Sequence, residues 1–142
     1  MTVLDPVFLD TAPLIYLVEN DVRYSQDVAD FLAKEFAQEN SIMTSVLTVS
    51  EFNVKPIREN DAELLEDFQN ALNGLHTQIF DITLKIGKTA AELRAKYKSL
   101  KTVDALQIGC AINYGCKRFI TNDHRLKGIN EIQIILVEEL KS

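Results

Sequence analysis

Short apolar runs alternate with longer amphipathic ones along this chain, and few architectures accept that rhythm. Val7–Asp10 is a short apolar run that ends in an acid. Thr11–Glu19 then places Leu14, Ile15, Leu17 and Val18 at helical spacing, with Pro13 in the first turn, where its missing N–H costs little. Ser25–Gln38 carries Val28, Phe31, Leu32, Ala33 and Phe36 as a stripe, which predicts a helix. Ser41–Thr44 is a second strand candidate. Ser45–Lys55 reads as a helix that Pro56 should stop, because proline cannot donate to the preceding turn. Asp61–Leu72 reads as a helix ending at Gly74.

The rhythm continues to the end of the chain. Gln78–Ile82 reads as a third strand. Thr83–Tyr97 reads as a helix with Leu84, Ile86, Ala90, Leu93 and Tyr97 inward. Val103–Tyr114 is apolar nearly all round, so it should be a buried helix, capped by Gly115. Arg118–Thr121 and Ile132–Leu136 are the fourth and fifth strands. Strand–helix repetition of this kind predicts an α/β fold, a parallel sheet covered on both faces. With 142 residues, 46% of them hydrophobic, one domain over 1–142 with its own core is expected.

Charge and cysteines narrow the function. Residues 1–84 hold four Lys/Arg against fifteen Asp/Glu; residues 85–142 hold eleven against six. The net of −6 argues against a simple polyanion binder. The basic run Lys85, Lys88, Arg94, Lys96, Lys98 and Lys101 still permits a local phosphate-binding face, or simply a solvated helix surface. Cys110 and Cys116, six apart, have neither a zinc nor a redox spacing. Buried reduced thiols and a reducing compartment are expected. The start of the chain does not resemble a leader, and no apolar run approaches the ~18 residues of a membrane helix. The expectation is a soluble cytoplasmic protein.

Four acids stand where buried elements meet turns or helix starts: Asp10, Glu51, Asp104 and Asp123. Carboxylates gathered from distant segments suit a hard divalent cation such as Mg2+. In open parallel sheets the ligand sits beyond the carboxyl ends of the strands, where Asp10 and Asp123 are expected. Each acid also has a plain structural reading, which the sequence leaves open. Asp10 suits an N-cap, and Asp104 suits a helix start capped by Thr102. Glu51 suits a capping pair with Thr48 or an exposed helix face, and Asp123 an ordinary turn. His124, beside Asp123, is a candidate substrate contact or a solvent-exposed residue. Ser45, Ser50 and Thr121 lack the partners of covalent catalysis, and neither GxGxxG nor a Walker loop is present.

Four segments, taken in order, resemble the PIN-domain nucleases and especially the VapC-type toxins of toxin–antitoxin pairs. They are Phe8-Leu9-Asp10-Thr11-Ala12-Pro13-Leu14-Ile15-Tyr16-Leu17, Thr44-Ser45-Val46-Leu47-Thr48-Val49-Ser50-Glu51-Phe52, Thr102-Val103-Asp104-Ala105-Leu106-Gln107-Ile108-Gly109-Cys110-Ala111 and Phe119-Ile120-Thr121-Asn122-Asp123-His124-Arg125-Leu126. The resemblance implies a three-layer α/β/α sandwich with a four- to five-stranded parallel sheet. It implies a metal-dependent endoribonuclease using Mg2+ or Mn2+, with Asp10, Glu51, Asp104 and Asp123 as catalytic and metal-binding acids. Thr11, Thr121 and Asn122 would line the pocket. Lys98 and Lys101 are candidate RNA contacts. RNA would be the substrate, and the partners an antitoxin protein and a second copy. Phe31, Phe36, Leu65 and Phe68 are candidates for the surface of a homodimer. Three other readings remain: a housekeeping RNA-processing nuclease, a catalytically silent PIN-like binding module, and a phosphorelay receiver. The receiver lacks its paired acids after Asp10 and its late lysine.

Overall fold

A computed structural model describes residues 4–141. Five parallel strands, β1 (Val7–Leu9), β2 (Ile42–Ser45), β3 (Gln78–Phe80), β4 (Arg118–Thr121) and β5 (Gln133–Leu136), form one sheet in the order β3-β2-β1-β4-β5. The chain builds outward from β1 to β3, then crosses back to place β4 on the other side of β1. The strand order therefore reverses at the β1–β4 pair, where Leu9 faces Ile120. A crevice outside the carboxyl ends of the strands is expected there.

All three residues of β1 are buried, which a strand covered on both faces requires. Successive side chains point to opposite faces. Val7 and Leu9 pack with Ile42, Ile120, Leu14, Leu32 and Phe52 on one side. Phe8 packs with Met43, Phe119, Ile86, Leu93 and Ile108 on the other, and stacks on Phe119 with ring centroids 5.4 Å apart. The first layer is made by α1 (Thr11–Val18), α2 (Ser25–Ala37), α3 (Val46–Arg58) and α4 (Ala62–Gly74). The second is the hairpin of α5 (Leu84–Lys96) and α6 (Thr102–Asn113). Its helices meet closely at Gly109, where an added Cβ would lie 3.2 Å from the Ile86 carbonyl oxygen. Gly115 takes φ +81° beyond α6, a conformation glycine adopts without strain.

Several expectations are corrected by tertiary contact. Pro56 does not stop α3, which runs on to Arg58 with Pro56 inside it and buried. The local penalty is offset by the burial of that ring. Thr102 is not a cap: α6 begins at Thr102, and the preceding Lys101 makes no side-chain capping bond. Leu84 faces outward at 77% exposure, because it occupies the first turn of α5, beyond the α6 contact. Phe68 belongs to the core, stacked 3.9 Å from Phe52, so it offers nothing to a second copy. Phe36 remains exposed, and Phe31 and Leu65 are half-buried.

Candidate active site

The site starts from β1. The Asp10 amide donates to the Ile120 carbonyl at 2.9 Å, so the carboxylate emerges at the end of the β1–β4 ladder. Its Oδ1 accepts the Thr11 N–H at 2.9 Å, and its Oδ2 accepts the Thr121 hydroxyl at 2.9 Å. The capping reading is therefore true, and the carboxylate also bonds across to β4 through Thr121. Burial lifts its pKa from 3.8 to about 6 against the opposing pull of the Thr11 and Thr121 bonds, and the negative charges of Asp104 and Glu51 lift it further.

Asp104 lies in the first turn of α6. Burial raises its pKa first, then the charges of Asp123 and Glu51, while Arg125 and Lys101 pull it down. Glu51, on α3, accepts the Thr11 hydroxyl at 2.6 Å rather than pairing with Thr48. Asp123 caps the short 3-10 turn His124–Gly128. The Arg125 guanidinium grips both its oxygens, at 3.0 and 2.8 Å, and these hydrogen bonds are the main reason its pKa is lowered. The four acids thus share one electrostatic neighbourhood. Among the described residues, however, no three acidic, histidine or cysteine side chains close into a ready cage for an ion. Arg125 occupies Asp123, and Thr11 holds Glu51 to its own side.

The remaining candidates divide. Thr121 links Asp10 to the fourth segment by accepting the Asp123 N–H at 3.1 Å. Asn122 donates to the Tyr16 hydroxyl at 2.5 Å. Lys101 lines a cavity of about 120 Å³ with Asp104, Asp123 and Arg125 against the apolar wall of Leu100, Leu126 and Ile129. Lys98 is exposed and lines no part of that cavity. His124 is turned outward to Glu138 at 2.9 Å.

Three residues beside the acids were assigned no role at the site from the sequence. Gln107 is 1% exposed and reaches Asp10, Thr48 and Ser45. The usable signal was an amide inside an apolar helix, one turn after Asp104 and so on the same face. Thr48 and Ser45 carried none beyond an ordinary helix start.

The PIN domain matches residues 7–132, and the chain belongs to that family. No curated protein matches it in sequence. Among solved structures it is similar to VapBC2 from Rickettsia felis bound to a promoter DNA fragment, with TM-score 0.72 and 19% identity over 92% of this chain and 97% of that one. It is similar to a toxin–antitoxin complex from Klebsiella pneumoniae, with TM-score 0.64 and 22% identity over 92% and 97%. A third is VapC20 of Mycobacterium tuberculosis, a toxin that cleaves the sarcin–ricin loop, with TM-score 0.67 and 15% identity over 89% and 98%. At these identities the likeness is one of fold.

Proposed function

We propose that the chain is a single-domain, metal-dependent endoribonuclease, the toxin of a type II toxin–antitoxin pair. The observation that carries this is Asp10. It stands at the strand-order reversal, its carboxyl is lifted to about 6 by burial and by Asp104 and Glu51, and among the described residues none of these three acids forms an ion pair. Three clustered carboxylates that form no ion pair fit a hard divalent ion, and the donors are all oxygen. Asp10 and Asp104 would hold Mg2+ or Mn2+ directly, with Glu51 and Asp123 completing the set directly or through water. Such an ion supplies Lewis-acid charge to the phosphate and lowers the pKa of attacking water. The chain's own groups do the rest. Lys101 lines the cavity beside Asp104 and offers positive charge for a phosphate, and Arg125 would add its own on leaving Asp123. Thr11 and Thr121 hold Glu51 and Asp10 in place. Asn122 braces the flank through Tyr16.

Support for the toxin reading comes from the similarity of fold to a toxin–antitoxin complex from Klebsiella pneumoniae and to the toxin VapC20. We assign the chain an RNA substrate, an antitoxin partner, a homodimeric state and a cytoplasmic location. No helix among the described residues is long and apolar enough to cross a membrane. Purified protein should cleave RNA with Mg2+ or Mn2+ and lose cleavage in excess chelator. Cleavage undiminished by chelator rejects the metal. Ion binding without cleavage favours the silent binding module, and cleavage without any antitoxin partner favours an RNA-processing role. Light scattering that returns a 16.1 kDa particle rejects the dimer for the free protein.

A further inference from the structure

A buried primary amide must place two donors and one carbonyl among partners that water cannot replace. Gln107 does so, and the order of its contacts is constrained at every step. Ser45 ends β2 and caps α3, and its Oγ accepts the Leu47 N–H at 3.1 Å. Its single hydrogen is therefore free for Gln107 Oε1, 2.5 Å away. That contact fixes the amide orientation. The Gln107 Nε2 then faces Thr48 Oγ1 at 2.8 Å and Asp10 Oδ1 at 3.4 Å. A flipped amide would set its carbonyl oxygen against the Asp10 carboxylate, acceptor against acceptor.

The direction continues beyond Gln107. The Thr11 and Thr48 hydroxyl oxygens lie 3.3 Å apart. A carboxylate only accepts, so the single Thr11 hydrogen is committed to Glu51 Oε1 at 2.6 Å. Thr48 oxygen already accepts from Gln107, and its own hydrogen goes on to Thr11. Each hydrogen in the chain thus points from Ser45 toward a carboxylate. Bonds aligned in this way polarise one another. Ser45 and Thr48 are 0% exposed and Gln107 1%, so water cannot complete a broken link.

We propose that Ser45, Gln107, Thr48 and Thr11 form a directional hydrogen-bond relay that fixes the carboxylates of Asp10 and Glu51 relative to each other, with Gln107 its central positioning residue. The relay ties β2, α3, α6 and α1 together, and so sets two acids 41 positions apart in sequence in a common geometry. Its role rests on the reading of those acids as holders of a divalent cation.

The test is Mn2+ affinity of the whole folded protein, with circular dichroism confirming the fold of each variant. Gln107→Leu and Thr48→Val should each weaken Mn2+ binding about tenfold, the low end for losing a group that orients a metal ligand. The double variant should be little weaker than either single one, because both break one chain. Ser45→Ala touches neither carboxylate, yet it should also weaken binding, by freeing the amide to turn. Thr48→Val and Ser45→Ala carry the test if Gln107→Leu does not fold. Unchanged affinity in the folded variants overturns the relay. A second readout needs no metal: the Thr11 and Thr48 hydroxyl hydrogens should give slowly exchanging NMR signals, lost together on breaking the relay upstream. If the wild type binds no Mn2+ but shows those signals and their joint loss, the cation reading falls and the relay stands. If the signals are absent from the wild type, the relay falls.

Discussion

Asp10→Asn should stabilise the metal-free protein, and the structure sets both the size and the pH window of the gain. The Asp10 carboxyl moves from 3.8 in the unfolded chain to about 6 in the fold. The folded state therefore binds this proton more tightly than the unfolded state does. Stability from this group is greatest with the proton on, and it declines as pH rises from 3.8 through 6. Above that window the ionised group burdens the fold by roughly 3 kcal/mol, at about 1.4 kcal/mol per pH unit. Asparagine removes the charge and still accepts the Thr11 N–H as an N-cap. It presents an amide to Thr121, whose hydroxyl must turn, at a loss of about 1 kcal/mol. The net gain near pH 7.5 is about 1–2 kcal/mol, or roughly 3–6 °C in Tm for a chain of this length. By about pH 4.5 most of the advantage should be gone. Saturating Mn2+ should reverse the order, because an ion at 100 times its Kd adds about 2.7 kcal/mol to the protein that binds it. The assay is thermal or urea unfolding of both proteins, in chelator at pH 7.5 and 4.5, then in Mn2+. A variant less stable than wild type at pH 7.5 in chelator, or a gap that ignores pH, would refute the reasoning and leave Asp10 as a helix cap alone.

Gly109→Ala should destabilise by about 1–2 kcal/mol net, since its Cβ would press on the Ile86 carbonyl at 3.2 Å and helix propensity returns only part of that overpacking; a urea midpoint unchanged from wild type would show that the α5–α6 hairpin has slack. Burial pushes the thiols of Cys110 and Cys116 up to about 11 and 12, so neither should react with a thiol reagent at pH 8 in the native protein, and both should on unfolding. Lys101 and Lys98 give a contrast: in an Asp104→Asn background, Lys101→Ala should lower the salt slope of RNA affinity by about 0.7 for one lost phosphate contact. Lys98→Ala should leave the slope nearly unchanged, and equal slopes for both would place the RNA path elsewhere.

What the sequence determined by itself was the succession of strands and helices along the chain. Apolar period and turn residues are local signals, and Arg118–Thr121 is the fourth strand in both readings, while the other elements shift by a few residues. Asp10, Asp104 and Asp123 stand out because strand ends and helix starts are places where a carboxylate is either exposed or capping, whereas Glu51 sits inside α3. Asp10 caps α1 and also accepts the Thr121 hydroxyl across the sheet. Contacts across the fold decided the rest. Pro56 reads as a stop in any local window, and only its burial against neighbouring elements keeps α3 running past it. Arg125 reads as a free cation until the 3-10 turn folds it back onto Asp123. Gln107 lies 97 residues from Asp10 and 62 from Ser45, and no spacing rule joins them. Secondary structure is written in near neighbours along the chain, whereas the partners of a buried polar atom are set by which strands the sheet places side by side.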